Sequence, residues 1–310
     1  MKKNSTILIV GGDDIIERSL FSYFEKNGFR SVFSSSLIGL NPTIQPSVYE
    51  FFQEYRPEYV FLGSVRSGGI DANRKYGGDF IYYNLEAQNN IIYAAYKFGT
   101  KKLMFLASSC IYPKDSLQPI KEDYLWTGRL EQTSQPYSVA KLAGIELCKA
   151  FRSQYGFNAI VAVPATVYGL GVEFDSKGHV IGALIAKFCH AVKTGEKQVI
   201  VWGTGTPLRE FLHSDDFVSA SIFLMDNYEA EGIVNIGCGY DVSIKELAEM
   251  IAEMTGFTGR IVFDTSMPDG VKQKLLDNSR ILSLGWRPKI RLEQGIRQLL
   301  QTVMGNNYKK

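Results

Sequence analysis

A tyrosine and a lysine lie four residues apart in the segment Tyr137-Ser138-Val139-Ala140-Lys141. Side chains at this spacing share one face of a helix. The lysine ammonium can then lower the pKa of the neighbouring phenol through its positive charge, which makes the tyrosine a usable acid at neutral pH. By itself the pattern occurs by chance in many helices, where it forms a solvated face. Proton transfer is therefore one of two interpretations that the pair allows.

Ser108 favours the catalytic interpretation. It follows the run Lys102–Ala107, which predicts a strand, and it precedes Tyr137 by about 30 residues. A serine at the carboxyl end of a parallel strand emerges at the crevice where α/β folds bind ligands. A serine in that place, followed by a Tyr–Lys pair on a helix, indicates chemistry rather than a solvated face.

The elements that must position these residues alternate along the chain. Ile7–Val10, Glu58–Leu62 and Ala159–Val163 predict strands, and the segments between them have helical spacing. Buried strands separated by helices are typical of a parallel sheet covered on both faces. The sequence therefore predicts an α/β fold with a Rossmann-like, doubly wound parallel sheet and a smaller C-terminal α/β substrate-binding lobe.

The pattern loosens after Pro164, which predicts two intertwined domains. We expect residues 1–165, with about 212–238, to form the Rossmann-like dinucleotide-binding domain. Residues 166–211 and 239–310 are then expected to form the substrate-binding lobe.

Composition excludes several classes of function. The 34 basic and 32 acidic residues leave a formal net charge of +2, which gives no electrostatic reason to expect a nucleic-acid partner. No apolar run approaches the ~18 residues that cross a bilayer, and the N-terminal segment does not resemble a signal peptide, so we expect a cytoplasmic protein without a membrane partner. The 4 cysteines and 3 histidines form no metal-binding pattern.

Longer motifs identify a family. They are SSCIYPK from Ser108, PYSVAKLAGI from Pro136, GHVI from Gly178, VWGTGTPLREFLHSDD from Val201 and PDGVKQKLLD from Pro268. In these motifs, and over essentially the whole chain, the sequence resembles the GDP-L-fucose synthase family of extended short-chain dehydrogenases/reductases. The resemblance implies a dimeric, two-lobed Rossmann enzyme. Such an enzyme epimerises C3 and C5 of GDP-4-keto-6-deoxy-mannose and then reduces the C4 ketone with NADPH.

The resemblance also assigns catalytic roles. Ser108, Tyr137 and Lys141 match the reductase residues: the tyrosine would protonate the C4 oxygen, the serine would hydrogen-bond to it, and the lysine would hold the nicotinamide ribose. Cys110 and His179 match the epimerisation pair. A thiolate-type base and an imidazole acid suit protons that lie α to a ketone.

Binding residues follow from the same resemblance. The positions that surround the nucleotide sugar are Lys187, Trp202, Arg209 and Lys274. Cationic side chains suit a diphosphate, and an indole suits a flat base or sugar face. The positions expected to contact NADP(H) are Gly11, Asn84, Tyr137 and Lys141.

The turn after the first strand departs from the family. A dinucleotide site uses G-x-x-G-x-x-G, but this turn reads GGDDIIE, and Asp14 and Glu17 replace the second and third glycines. Asp13 and Asp14 also put negative charge where a phosphate would lie. The Ser34–Leu37 segment lacks both an arginine for a 2′-phosphate and an acid that would favour NAD. We therefore expect weak NADPH binding, with the aspartates capping the helix in place of the anion.

Three hypotheses remain open from the sequence. The chain is a full epimerase/reductase for a GDP-linked sugar, or a cofactor-independent epimerase that has lost the reductase step, or a catalytically silent nucleotide-sugar-binding homologue. Retention of the five catalytic positions argues against the silent homologue. Loss of the glycines argues against the full reductase. The family resemblance favours the first hypothesis, and it also implies a homodimer.

Overall fold

The computed structural model describes residues 1–12, 14–169, 171, 174, 179–267 and 269–305. Its strands are β1 Thr6–Val10, β2 Ser31–Ser34, β3 Tyr59–Leu62, β4 Lys102–Leu106, β5 Ala159–Pro164, β6 Thr166–Tyr168, β7 Gln198–Trp202, β8 Leu208–Arg209, β9 Phe211–His213, β10 Ile233–Ile236, β11 Val242–Ser243, β12 Arg260–Asp264 and β13 Gln273–Lys274. Its helices are α1 Ile15–Lys26, α2 Gln45–Tyr55, α3 Ile70–Lys75, α4 Gly77–Lys97, α5 Gln135–Tyr155, α6 Val180–Thr194, α7 Ser214–Asn227, α8 Ile244–Thr255, α9 Ser279–Ser283 and α10 Leu292–Met304. Short 3₁₀ helices cover Ser109–Ile111, Glu122–Tyr124 and Gln132–Ser134.

A parallel sheet forms the centre of the larger part of the fold. Across the described residues its six strands are ordered β2-β1-β3-β4-β5-β10, and neighbouring strands are parallel. Every residue of β4, β5 and β10 is buried, as expected for strands covered by helices on both faces. The predicted Rossmann-like, doubly wound α/β fold is confirmed.

The strand order reverses at β1. β2 lies on one side of β1 and β3 lies on the other, so the carboxyl ends of β1 and β3 border the crevice where folds of this kind bind ligands. β4 is the next neighbour of β3. The segments that follow β1, β3 and β4 therefore meet at one edge of the sheet, and Ser108 lies in the last of them.

Helix α5 packs beside this edge, against α4 and β4. Pro136 stands in its first turn, and Gly156 ends it in the left-handed conformation. At Gly144 the helix lies so close to the sheet that a Cβ would be 2.4 Å from the Phe105 ring. The missing side chain at this glycine sets how closely α5 approaches the strand ends.

A second hydrophobic cluster is built mainly by β7, α6, α8 and α10. β7 pairs in parallel with β12, and β8 lies between β11 and β13. The first cluster surrounds the parallel sheet and includes Phe217 of α7 and Val234 of β10. It also includes Leu276 and Trp286, which follow β13. The predicted domain boundaries at 165, 211 and 238 stay a prediction.

The described residues include no helix that is long and apolar enough to cross a membrane. Nor do they bring together three or more histidine, cysteine, aspartate or glutamate side chains that could hold a metal ion. All four cysteines have free thiols.

The Gly144→Ala substitution should lower the free energy of unfolding by about 1–3 kcal/mol, because the new methyl group meets the buried Phe105 ring and Gln88 Oε1 at 2.4 and 2.7 Å. Urea denaturation measures the effect. Gly78→Ala is the matched control: Gly78 is an exposed residue of α4, and apart from its neighbours in the helix backbone no described atom lies within 4 Å of the position that its new methyl group would take. This control should keep or slightly raise stability. A Gly144→Ala protein as stable as the wild type would contradict the close approach.

Candidate active site

The residues predicted to carry out reduction meet at the carboxyl ends of β3 and β4. Ser108 follows β4, and its Oγ accepts a hydrogen bond from Cys110 N at 3.4 Å. Tyr137 is buried in the first turn of α5, and its Oη lies 2.8 Å from Ser64 Oγ. Ser138 Oγ donates to the Cys110 carbonyl at 2.9 Å. These bonds join the start of α5 to the segments that follow both strands.

Lys141 is buried one helical turn further along α5. Its Nζ donates to the carbonyl oxygens of Gly63 and Leu106, both at 3.0 Å. These carbonyls lie at the ends of β3 and β4, and the ammonium is also 4.6 Å from the centroid of the Phe105 ring. Burial lowers the pKa of Lys141 to about 7, although the Asp14 carboxylate acts in the opposite direction.

The expectation that Lys141 lowers the pKa of Tyr137 is wrong in this arrangement. Burial raises the pKa of Tyr137, and the hydrogen bond with Ser64 reverses only part of that effect. The Lys141 ammonium is directed at two carbonyl oxygens instead of the phenol, and burial destabilises its own charge. Tyr137 is therefore a protonated donor throughout the neutral range, which suits a group that gives a proton to a developing oxyanion.

Cys110 faces cationic side chains from the C-terminal part of the chain. Its Sγ lies 3.4 Å from Lys274 Nζ, and Lys274 pairs in register with Arg209 across β13 and β8. Burial raises the pKa of the Cys110 thiol, but the Lys274 charge and hydrogen bonds outweigh burial, so the pKa lies below its ordinary value. The Arg209 guanidinium also interacts with the thiol electrostatically. Two residues predicted to bind a diphosphate are thus found beside the predicted base.

His179, the predicted partner of Cys110, is not joined to it. The histidine is exposed and directly precedes α6. Within the described part of the chain its side chain makes no hydrogen bond or ion pair. Residues 175–178, including Gly178 of the GHVI motif, lie outside the described residues. A role for His179 in epimerisation stays a prediction.

Lys187 and Trp202 form a separate pair on α6 and β7. Lys187 Nζ donates to the Ile200 carbonyl at 2.9 Å and lies 5.4 Å from the centroid of the Trp202 ring. The indole is 45% exposed. An exposed indole beside a cation is a surface on which a planar base or a sugar face can pack. The geometry therefore groups these two residues but does not place them beside Cys110.

Asn84 is buried in α4, and its side-chain amide forms hydrogen bonds with the protein backbone. Its Oδ1 accepts from the backbone N–H groups of Val65 and Arg66, and its Nδ2 donates to the carbonyls of Arg66 and Phe80. An amide with two acceptor sites and two donors has no further capacity. Asn84 therefore positions the segment after β3, and its predicted direct contact with the cofactor stays a prediction.

The turn after β1 lies tightly against the segment after β3. A Cβ on Gly12 would be 2.7 Å from the Val65 carbonyl oxygen. Asp14 caps α1 as predicted, because its side chain accepts a hydrogen bond from Glu17 N at 3.0 Å. Burial raises the pKa of Asp14. Asp13, the other acid expected at this turn, lies outside the described residues.

Glu17 is buried and reaches the end of β2 instead of covering the turn. Its Oε1 accepts hydrogen bonds from Ser34 Oγ at 2.7 Å, Ser35 Oγ at 3.1 Å and Ser36 N at 3.0 Å. A Cβ on Gly11 would lie 2.9 Å from the Glu17 Cβ, so the two positions are packed together. The Ser34–Leu37 segment itself contains no acid, but α1 supplies one at the end of β2. Because Glu17 is only 1% exposed, its charge would act on a nearby 2′-phosphate through space and not by contact with the ribose.

Sequence analysis missed two serines at the site. Ser64 follows β3 as Ser108 follows β4, so the rule that polar residues at strand ends form the crevice would have found it. Ser134 precedes α5, and its hydroxyl helps to lower the pKa of the Cys110 thiol. No sequence signal marks Ser134, since only the packing of α5 on the segment after β4 places it there.

A Rossmann-like sheet with serine, tyrosine and lysine at its carboxyl edge defines a class of dinucleotide-dependent enzymes. This chain belongs to the NAD dependent epimerase/dehydratase family, whose sequence model matches residues 7–237. The predicted family resemblance is confirmed by relatives of the full length.

Two curated relatives are GDP-L-fucose synthases. GDP-L-fucose synthase 1 of Arabidopsis thaliana is 43% identical over 305 residues, which is 98% of this chain and 94% of the relative. GDP-L-fucose synthase of Escherichia coli (strain K12) is 40% identical over 310 residues, which is 97% of each. A solved GDP-mannoheptose C4 reductase from Campylobacter jejuni with NADP bound has 36% identity and a TM-score of 0.89, covering 98% of this chain and 99% of that chain.

The Glu17→Gln substitution should raise the affinity for NADPH more than the affinity for NADH. The amide keeps an acceptor oxygen for the end of β2 but removes the charge that repels a 2′-phosphate. Like charges about 5 Å apart at an effective dielectric of about 20 repel by about 3 kcal/mol, so the ratio of the two Kd values should shift about 100-fold. Fluorescence titration with both dinucleotides measures this ratio.

Two variants provide controls. Asp14→Asn keeps the helix cap and removes a charge near the pyrophosphate that both dinucleotides carry, so both affinities should rise together. Glu25→Gln makes the same change on the exposed face of α1 and should alter neither affinity. An unchanged NADPH-to-NADH ratio in folded Glu17→Gln would show that Glu17 does not discriminate at the 2′ position.

Proposed function

We propose that this chain is a nucleotide-sugar epimerase/reductase of the GDP-L-fucose synthase type, acting on a GDP-linked 4-keto-6-deoxy sugar. The observation that carries the proposal is the meeting of Ser108, Cys110 and Tyr137 at one edge of the sheet. A thiol and two hydroxyl groups there can serve one reacting centre. The names of the relatives support a GDP-sugar substrate. They do not favour a cofactor-independent epimerase or a catalytically silent homologue.

NADP(H) is the dinucleotide that we propose. The residues expected at the nicotinamide fit it better than those expected at the phosphates. At the nicotinamide end, Tyr137 and Lys141 lie at the crevice, in the positions that the family resemblance gives to the ribose. At the phosphate end, the N-terminus of α1 and the small Gly12 suit a pyrophosphate. Asp14 and Glu17 oppose the phosphates and lower the affinity for the dinucleotide. When bound, the cofactor supplies the hydride that C4 receives.

Reduction requires the chain to neutralise the charge that develops on the C4 oxygen. We assign Tyr137 Oη as the proton donor and Ser108 Oγ as a second hydrogen-bond donor to that oxygen. The buried phenol stays protonated near neutral pH because burial raises its pKa. Ser64 Oγ, at 2.8 Å, fixes the orientation of the phenol. Donors that are already in place before the charge develops lower the barrier most effectively.

Epimerisation requires a base and an acid but no change of oxidation state. The C3 and C5 protons are acidic because both carbons flank the C4 ketone. We assign Cys110, as a thiolate, to remove the proton while the electron pair moves to the C4 oxygen as an enolate. Ser108 and Tyr137 stabilise that oxygen. His179 returns a proton from the opposite face, which inverts the centre and restores the ketone.

We assign nucleotide binding to residues on α6, β7 and β8, at the surface of the C-terminal part of the fold. Trp202 and Lys187 offer an exposed indole and a cation for the base or the sugar face. Arg209 is half-buried on β8 and suits a bidentate contact with the diphosphate. Because β8 pairs with the strand that holds Lys274, binding of the nucleotide and placement of the thiol involve the same small sheet.

Solvent exchange separates proton chemistry from hydride chemistry. In heavy water and without NADPH, wild-type protein should introduce deuterium at C3 or C5 of GDP-4-keto-6-deoxy-mannose. Cys110→Ser should abolish the exchange, because an alcohol is a far poorer base than a partly ionised thiol. Tyr137→Phe should slow exchange about 100-fold, since one enolate donor is lost, and should abolish NADPH oxidation. Mass spectrometry and ultraviolet absorbance of NADPH measure the two reactions.

Cys189→Ser is the matched control, because Cys189 is a half-buried free thiol on α6 away from the strand ends. It should retain both reactions. If the wild-type protein introduces no deuterium and Cys110→Ser behaves in the same way, the epimerase proposal is wrong. Reduction that depends on Tyr137 would still support the reductase.

We also propose a cytoplasmic homodimer. The four free thiols suit a reducing compartment. Large apolar side chains are exposed on the paired helices α4 and α5, namely Tyr82, Tyr93, Val139 and Tyr155. Light scattering should give twice the mass of the chain. Tyr93→Glu should yield monomers, whereas Leu117→Glu, at a more exposed position in a loop, should not. A monomeric wild-type protein would contradict the proposal.

A further inference from the structure

Lys274 is directed at the Cys110 thiol. Its Nζ lies 3.4 Å from the Cys110 Sγ, and within the described residues the ammonium makes no other hydrogen bond or ion pair. The two residues are 164 positions apart in the chain, so the contact is created entirely by the fold. The hydrogen-bond partner of this cation is therefore a sulfur atom and not a carboxylate.

The backbone around Lys274 is held on both sides. The Lys274 carbonyl accepts a hydrogen bond from Glu210 N at 3.3 Å. Leu275 N donates to Gln118 Oε1 at 2.9 Å, and its carbonyl accepts from Ile120 N at 2.7 Å. Ile120 follows Cys110 by ten residues in the same connection. Hydrogen bonds therefore join the segment that follows Cys110 to the strand of Lys274, close to the contact between the thiol and the ammonium.

Among the residues that the structure describes, titratable or charged groups from three elements interact electrostatically with the thiol. Lys274 comes from β13, Arg209 from β8 and Tyr137 from α5. Lys274 is the one in hydrogen-bond contact, while Arg209 also interacts with the Asp269 carboxylate. Burial raises the pKa of the Cys110 thiol. The Lys274 charge and the hydroxyl groups of Ser108 and Ser134 together bring that pKa below its ordinary value.

We propose that Lys274 acts through Cys110 by holding it as a thiolate, and is not primarily a ligand of the substrate diphosphate. The inference rests on the proposed epimerisation, in which the sulfur takes a proton from C3 or C5. As the thiolate becomes a thiol, the negative charge moves to the C4 oxygen. The Lys274 side chain stabilises the base before the transfer and is not assigned a proton-transfer step.

Alkylation of the full-length protein by iodoacetamide tests the pairing without using activity. The rate at Cys110, measured by peptide mass spectrometry as a function of pH, reports its thiolate fraction. Lys274→Met should move the inflection up by about one pH unit or more and should lower the rate at pH 7 about tenfold or more. Lys274→Arg, which keeps the charge, should retain most of the wild-type profile.

A neighbouring lysine and a second thiol of the protein serve as controls for the alkylation experiment. Lys272→Met removes an exposed cation two residues earlier and should leave the Cys110 profile unchanged. Cys189 provides an internal reference thiol whose alkylation should not respond to any of these substitutions. If Lys274→Met does not fold, Lys274→Gln and the ultraviolet absorbance of the thiolate, taken against Cys110→Ser, test the same point.

The outcomes distinguish this inference from the proposed function. An unchanged Cys110 profile in Lys274→Met, with a raised KM for the GDP-sugar, would overturn the pairing and return Lys274 to the substrate. A shifted profile together with slower deuterium exchange supports the pairing. A shifted profile in a protein whose wild type exchanges no deuterium also supports the pairing, but it overturns the epimerase assignment.

Discussion

The buried ammonium of Lys141 is the interaction on which the geometry of the site depends. It donates to the carbonyl oxygens at the ends of β3 and β4, so one side chain of α5 joins two neighbouring strands at the edge where they end. A buried ammonium without such partners would be strongly destabilised, and burial here already lowers its pKa to about 7. These bonds fix the position of α5 relative to the strand ends. In that position the Tyr137 hydroxyl lies beside Ser64, and Ser138 donates to the Cys110 carbonyl.

The start of α1 applies a different constraint to the same crevice. In a dinucleotide site, glycines leave the helix N-terminus open to an anion. Here Asp14 caps that N-terminus, and Glu17 collects three hydrogen bonds at the end of β2. The fold remains intact because each acid has donors from the protein itself. The consequence is that two carboxyl groups lie at the α1 side of the crevice, beside the strand ends where Tyr137 and Lys141 are bonded.

The sequence by itself determined the fold class and the local geometry of α5. Buried runs such as Ile7–Val10 and Ala159–Val163, separated by segments with helical spacing, require a parallel sheet with helices on both faces. Pro136 and Gly156 mark the ends of α5, and their effects are local, since a ring limits φ and a missing side chain permits the left-handed turn. The four-residue spacing of Tyr137 and Lys141 is also a local property of a helix.

Only the tertiary structure decided which side chains interact with these groups. A four-residue spacing cannot show that Lys141 bonds to strand carbonyls, because those carbonyls come from two other elements. The carboxylate at the end of β2 comes from Glu17 in α1, so the sequence of β2 alone shows no acid there. Lys274 reaches Cys110 across 164 positions through the pairing of β13 with β8. Short-range patterns set helices, turns and caps, whereas desolvation and charge pairing depend on neighbours that only the folded chain brings together.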